Sequence, residues 1–487
     1  MIASHLLSPL IFLEQQPAYS SVVIGALVVC LVCLVWPTES AKRAPPAPNF
    51  GVPRIGDAAA FLADPVSFVQ KATQKCGSIF QIKLLVANLV YLRGVKLNRM
   101  YTDVKEDTWS FGGGIGLFLR KIAKPGYFDH LRTLVNSLNR GVNRKAALEH
   151  YFQLIEEEAG KALQGWSQRG AVPVFEETSR FVHRVIVRCL MGQDFYDHRL
   201  DELYEILHHM EADIGHPFNL LLPDWIPHPA ARRLEQNRDR FAQIFEQQVA
   251  DRRRNPEIWR DSLDYISFTL EDPRTAHLEG YLPSHHTVLM FAAHTSTVAS
   301  ISWTILELLR NPDYLAQLRQ SLAAHPDARK CPELLAGIKE TGRHYSGVHM
   351  FRTTHRAVEL EGGKYLVPPN WIVSISPYLT HHDPEIFHTP QHWIPERWLQ
   401  PDDRMQNLNN PREAAFLQFG AGCHRCPGEA LAGIIAQGLL ATLVRRYDMV
   451  WGKEGPPTDL TALDFSKVGS PWLEGDASIA IRPKVAE

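Results

Sequence analysis

The apolar positions of this chain fall into distinct regimes. Between Tyr19 and Trp36 the sequence YSSVVIGALVVCLVCLVW runs without a charge. Eighteen residues of helix rise roughly 27 Å, close to the hydrocarbon thickness of a thin bilayer. The pattern predicts a transmembrane anchor over 19–36, with Tyr19 and Trp36 at the interfaces and 1–18 on the lumenal side. Lys42 and Arg43 follow the span and place the body of the protein in the cytosol. A cleaved signal peptide fits less well: a positive n-region is missing, the apolar run is long, and the basic pair lies on its C-terminal side. Residues 37–56, which include RAPPAPNFGVP, read as an extended proline-rich linker to a body over 57–487.

Within the body the helical period dominates. Residues 230–254 are amphipathic with a basic, solvated tail, and Asn255-Pro256 stops them. Residues 281–309 are long and largely apolar, ended by Asn311-Pro312. Shorter β-rich runs lie near 78–93 and 357–376, the second turned by Glu361-Gly362-Gly363. From 385 to 419 the chain is rich in Pro, Asn and Asp and reads as a long ordered loop; 429–447 returns to an apolar helix. The fold class expected is mostly α with small β-sheets.

Composition narrows the function. With 487 residues, 45% hydrophobic and 21% charged, the chain can bury a large core. Its formal charge of −2, without a single-sign block, gives no electrostatic footprint for nucleic acid. Seven scattered cysteines do not make a disulfide framework and suit a reducing compartment.

The chemistry concentrates in FLQFGAGCHRCPGEA, residues 416–430. Zinc needs four ligands, and the body holds no second cysteine pair. Covalent c-type haem attachment needs His after the second Cys, where Pro427 stands. A thioredoxin-like pair needs a βαβ setting that the pattern lacks. A haem-thiolate ligand fits. Gly420, Gly422 and Gly428 allow a tight loop around a sulfur, and a helix starting near Gly428 points its positive end at Cys426. His424 and Arg425 offer positive groups for haem propionates.

The run Phe419-Gly-x-Gly422-x-His424-x-Cys426-x-Gly428 resembles the cysteine-ligand loop of the cytochrome P-450 family. His424 in place of the usual Arg, with Arg425 following, resembles the sterol 14α-demethylase branch. The resemblance implies a cytochrome P-450 fold, haem b with Cys426 on the iron, and Phe419, His424, Arg425 and Gly428 around the cofactor. Cys423 falls outside the pattern and reads as a passive packing residue.

Further motifs follow in family order. Glu340 and Arg343 lie three apart on one helix face, and Pro395-Glu396-Arg397-Trp398 resembles the family's second arginine motif. The resemblance implies a buried network of Glu340, Arg343 and Arg397 that holds the cysteine loop in register. Phe291-Ala-Ala-His-Thr-Ser296 resembles the oxygen-side helix, with Thr295 and His294 as proton relay and Ala292 at the usual Gly. Phe128-x-x-x-Arg132 resembles the aromatic–Arg pair whose Arg meets a propionate; Arg352 and His381 stand where family members often add such contacts.

The implied activity is that of a monooxygenase using O2 and a lipophilic small molecule. No flavin or nicotinamide fingerprint is present, so an NADPH-cytochrome P-450 reductase in the same membrane is the expected electron donor. The expected location is the endoplasmic reticulum membrane, single-pass, with a cytosolic catalytic domain. Pocket walls are expected at 111–118, 218–225, 348–351 and Trp472. His294 and His424 suggest sterol-like chemistry, yet FGGGIG does not reproduce the aromatic signature of sterol demethylases. The expected substrate is therefore a steroid, triterpenoid or other terpenoid in fungal specialised metabolism. An oxygen-independent isomerase or dehydratase and a non-enzymatic haem sensor are the rival readings, and Thr295 speaks against both.

Overall fold

The computed structural model describes residues 43–51, 56–84, 87–216, 218–219, 226–401, 403–457 and 462–484. The predicted anchor over 19–36 and most of the expected wall at 218–225 lie outside the described residues. Two units result. The smaller takes its described residues from 43–45 and 357–368. In it, a short hairpin turns at Glu361–Gly363, where Glu361, Gly362 and Gly363 all have positive φ, as the Glu-Gly-Gly turn predicts.

The larger unit includes helices α1 (Phe111–Leu119), α2 (Lys145–Arg169), α3 (Val174–Ile186), α4 (Gln193–Ile214), α5 (Pro229–Arg254), α6 (Leu282–Arg310), α7 (Pro332–His344) and α8 (Glu429–Arg446), together with further helices such as Pro65–Cys76, Leu131–Gly141 and Pro312–Ala324. Strands β1 (Ile79–Lys83), β2 (Asn88–Leu92), β3 (Trp109–Ser110), β4 (Ala171–Pro173), β5 (Met350–Thr354), β8 (Ile372–Ile375), β9 (Tyr447–Trp451), β10 (Leu463–Asp464), β11 (Trp472–Leu473) and β12 (Ser478–Pro483) belong here, and β6 (Val358–Leu360) and β7 (Tyr365–Val367) are the hairpin of the smaller unit. Among the described residues one sheet has the order β1-β2-β8-β5-β3, parallel only between β2 and β8, and another the order β4-β12-β9.

Helix α6 organises the core. Pro283 opens it and Asn311 caps it ahead of Pro312, at the stop that the sequence carries. The stretch Ala276–Arg310 is long and apolar enough to cross a membrane, but 72% of its apolar window is buried by protein. Helices α3, α4, α5, α7 and α8 all pack on α6. From 282 to 308, every residue of α6 is buried except Leu289, Ala292, Ala293, Ser296 and Ser300. That spacing of three and four residues leaves one stripe of small side chains open along a buried helix.

Glycines set two close approaches. A Cβ on Gly438 of α8 would lie 2.5 Å from Ile155 Cγ2 of α2, and one on Gly114 of α1 would lie 2.0 Å from the Phe351 carbonyl oxygen of β5. The Gly-Gly-Gly run of α1 thus lets a helix lie against a strand backbone. The basic tail of α5 is not wholly solvated. Arg252 is buried, its guanidinium paired with Asp194 and Asp264 and bonded to the Met191 carbonyl; Arg253 and Arg254 remain exposed. The expected loop over 385–419 is broken by short helical turns at Glu396–Leu399, Asp403–Leu408 and Pro411–Glu413.

Candidate active site

The cysteine loop closes on itself through its backbone. Cys426 N–H donates to the Phe419 carbonyl at 2.8 Å, Gly420 N–H to Leu417 at 3.0 Å and Arg425 N–H to Gly422 at 3.3 Å. Gly420 and Gly422 take φ of 70° and 68°, and a Cβ on Gly422 would sit 2.6 Å from the Thr102 carbonyl oxygen. Both positions therefore require glycine. Helix α8 starts at Glu429, and a Cβ on Gly428 would lie 3.7 Å from the Cys426 sulfur, so the sulfur sits against the N-terminus of the helix. Burial pushes the Cys426 thiol up; the Gly428 and Glu429 amides and Arg425 pull it back, without fully offsetting the burial. By accessible surface, Cys426 is nevertheless exposed. Cys423 is exposed rather than packed, which corrects the expectation of a packing role.

Behind the loop lies a buried ionic network. The Arg343 guanidinium donates to both carboxylate oxygens of Glu340, at 2.8 and 3.1 Å, and Arg397 Nε donates to Glu340 Oε1 at 3.1 Å. Trp398 Nε1 and the Ile394 amide also donate to Glu340, at 2.8 and 3.0 Å. Arg343 further donates to the carbonyls of His381, Pro390 and His392, each at 2.9 Å.

His381 belongs to this network and not to the propionate contacts expected of it. Its Nε2 accepts from the Leu417 amide at 2.8 Å, so Nδ1 carries the proton and faces the Arg343 carbonyl at 3.1 Å and Ser346 Oγ at 2.9 Å. Burial holds its pKa well below the ordinary histidine range. Both nitrogens being used, the ring ties α7 to the start of the cysteine loop.

Arg425 is bonded within the loop. It forms a fork with Glu429, both distances 2.7 Å, and donates to the Gly420 carbonyl at 3.3 Å. The His424 ring stacks on Phe111 at 4.7 Å, and its Nε2 lies 3.0 Å from Glu106 Oε2. Glu106 also accepts from Ser110 Oγ and the amides of Phe111 and Gly112, at 2.7, 2.9 and 3.1 Å, which caps α1. Burial pushes its carboxyl up, but His424 and these donors outweigh it and bring the pKa down to about 2.

Two other predicted cations are free to hold an anion. Arg352 is buried; its guanidinium lies 4.7 Å from the Tyr101 ring and donates to the Val104 carbonyl at 3.0 Å, while its buried Nε has no partner. Arg132 follows Phe128 by one helical turn, is exposed, and has no hydrogen-bond or ion-pair partner among the described residues.

On α6, His294 and Thr295 meet a residue that sequence reasoning missed. Glu211 Oε1 of α4 lies 2.5 Å from His294 Nδ1 and accepts from Thr295 Oγ1 at 2.7 Å. His294 Nε2 lies 3.1 Å from the Ser179 carbonyl and 3.2 Å from Ser179 Oγ. Nδ1 thus faces the Glu211 carboxylate, and Nε2 faces both oxygens of Ser179. Burial pushes Glu211 up, but the adjacent His294 and Thr295 hold it below the ordinary carboxylate range. Trp472 Nε1 donates to the Thr295 carbonyl at 3.1 Å, which brings one expected wall residue beside the relay.

The donor set fits haem. It combines an exposed sulfur at a helix N-terminus, the unpartnered Nε of Arg352, the exposed Arg132, and a buried helix with one stripe left accessible.

The comparisons agree. Residues 45–470 match the cytochrome P-450 family model. The chain is 53% identical over 470 residues to the cytochrome P-450 monooxygenase pynD of Aspergillus niger, covering 94% of this chain and 97% of that one. It is 49% identical over 376 residues to the cytochrome P-450 monooxygenase pytD of Aspergillus terreus, covering 75% and 99%. A sterol 14-demethylase of Arabidopsis thaliana is 25% identical over 477 residues, covering 91% and 93%. The retinoic-acid-bound cyanobacterial CYP120A1 shares the fold at a TM-score of 0.74 and 20% identity, covering 91% of this chain and 100% of that one. This chain belongs to the cytochrome P-450 family, whose members bind haem b through a cysteine thiolate, and is a monooxygenase that takes electrons from a redox partner.

Proposed function

We propose that Cys426 is the thiolate ligand and that the enzyme oxidises a lipophilic substrate in fungal specialised metabolism. The arrangement that supports the ligand assignment is an exposed sulfur set against the N-terminus of α8, in a loop closed by the bond from the Cys426 amide to the Phe419 carbonyl. Bound haem supplies the activation of O2 and its insertion into a substrate C–H bond. The chain supplies everything that directs it. The amides and the N-terminus of α8 favour the anionic sulfur. Arg132 and the unpartnered Nε of Arg352 are the groups for the propionates, with His424 as a third. Gly428 and Phe419 shape the loop; Glu340, Arg343 and Arg397 hold it in register.

Thr295, buried next to Ser296 of the open stripe of α6, donates its hydroxyl to Glu211, and Glu211 with His294 supplies its proton. This relay supports dioxygen chemistry over oxygen-independent rearrangement and over a haem sensor, neither of which consumes protons in this way. In the topology we propose, 1–18 are lumenal, 19–36 span the endoplasmic reticulum membrane once, 37–56 link, and 57–487 form the cytosolic catalytic domain beside an NADPH-cytochrome P-450 reductase.

The substrate class, a steroid, triterpenoid or other polycyclic terpenoid, rests on His294 and His424. Sterol 14-demethylation itself is disfavoured: relatives named for it stand near 25% identity, while those near 50% carry only the name monooxygenase. A panel of such compounds should give a type I spectral shift, and absence of any shift removes this class. The ligand is tested by carbon monoxide difference spectra of the reduced protein. Cys426→Ser should lose the thiolate band and Cys423→Ser should keep it; the reverse pattern overturns the assignment.

A further inference from the structure

Aromatic rings lead away from the relay in contact. Trp472, bonded to the Thr295 carbonyl, lies 5.6 Å from Phe175, which lies 5.4 Å from Trp303. Trp303 stacks on Tyr345 with centroids 3.8 Å apart and planes 5° off parallel, both side chains buried. Tyr345 Oη donates to Glu307 Oε1 at 2.5 Å. Beyond it, His344, His382 and Tyr378 continue at 4.7, 5.2 and 4.1 Å, and Tyr378 is only half-buried.

Many cores contain aromatic clusters, so packing alone explains most of these contacts. Packing does not require a carboxylate on the phenol of a stacked pair. Tyr314, which packs edge-on against Trp393, donates instead to the Glu333 carbonyl. Indole and phenol are the readily oxidised side chains, and a phenol gives up an electron easily only when a base takes its proton. Glu307 is that base: it faces the hydroxyl directly, and Arg310 and Asn311 hold it in place. Burial raises its pKa, which favours the protonated carboxyl that results.

We propose that Trp472, Trp303 and Tyr345 form a relief path for oxidising equivalents that no substrate consumes, an inference that rests on the haem-enzyme reading. Tyr345 loses one electron through Trp303 and Trp472 toward the oxidised haem, and its proton passes to Glu307. A neutral tyrosyl radical and a protonated Glu307 result. A one-electron donor in solution, such as ascorbate, returns the electron by way of Tyr378, and Glu307 returns the proton. With an alkyl hydroperoxide as oxidant, two such passes deliver two electrons to the breaking O–O bond. Two protons from solvent complete an alcohol and water, while two hydrogen ascorbate anions become two ascorbyl radicals.

The test uses the haem-loaded full chain without substrate, mixed with cumene hydroperoxide and freeze-quenched for electron paramagnetic resonance. Wild type should give a tyrosyl signal that narrows when the protein carries ring-deuterated tyrosine. Tyr345→Phe, which keeps the ring, should lose that signal, bleach its haem faster and lose protection by ascorbate. Trp303→Phe should do the same, and Tyr314→Phe should match wild type. A tyrosyl signal that survives Tyr345→Phe, or no protein radical in wild type, overturns the path. A thiolate carbon monoxide band recorded first on each variant separates this failure from failure of the ligand assignment.

Discussion

Two buried glutamates have partners of different chemistry, and the contrast bears on the roles proposed for them. Glu340 is held by two arginines, an indole and an amide, so its geometry is over-determined. Glu211 is held by a histidine and a hydroxyl, both able to exchange protons. Arginine cannot release a proton in a protein, so the first site can only brace. The second can transfer. Like residues at like depth thus become a brace or a relay according to the titratability of their neighbours.

Breaking the brace should have the largest effect. Glu340→Ala leaves Arg343 and Arg397 buried without a counter-charge, a loss of about 3–5 kcal/mol. The expected outcome is protein with almost no haem, read as the haem-to-protein ratio; full occupancy would show that the network does not hold the loop.

Glu211→Gln should do the opposite. Haem content and the thiolate band should stay, while product formation falls about 100-fold, as for loss of a general acid, and hydrogen peroxide release rises. If Glu211→Gln instead loses haem as Glu340→Ala does, the distinction between brace and relay fails.

His381→Phe probes how the brace reaches the loop. It orphans the Leu417 amide, a cost of about 1–3 kcal/mol, and should lower the melting temperature and convert part of the thiolate band. His381→Asn, which can still accept from that amide, should recover part of both.

A last test isolates burial without any charge partner. Burial alone pushes His285, bonded to Tyr127 and Tyr265, down to about 4. The unfolded chain protonates this group near 6.5, so its contribution is complete above that pH and is lost as pH falls from 6.5 toward 4. The slope is at most about 1.4 kcal/mol per pH unit. His285→Phe should flatten the acid side of the melting-temperature profile within this window; an unchanged profile would place the acid sensitivity elsewhere.

The brace was largely legible before the structure and the relay only half so. Glu340 and Arg343 share a helix face at a spacing that any helix imposes, and Arg397 stands in a second motif. The cysteine loop is one contiguous segment whose Gly420 and Gly422 take the positive φ of the loop itself, although the close approach of Thr102 to Gly422 comes from elsewhere in the chain. Glu211 carried no signal, because nothing in the run around it distinguishes it from a solvated helix face; only the packing of α4 on α6 aims it at His294. Arg425 and His381 were legible as cations near the cofactor, yet whether a side chain turns toward haem or toward its own loop depends on neighbours distant in sequence.

By itself, then, the sequence determined the helical body, the stops of α5 and α6, the turn at Glu361–Gly363 and the cysteine loop. Each follows from backbone preferences and apolar periods that act over a few residues. The tertiary structure alone decided which stripe of α6 stays open, which acid serves Thr295, and that Trp303 stacks on Tyr345 beside Glu307. Those outcomes depend on how far each helix is rotated about its axis against the next, and packing along the whole interface sets that angle.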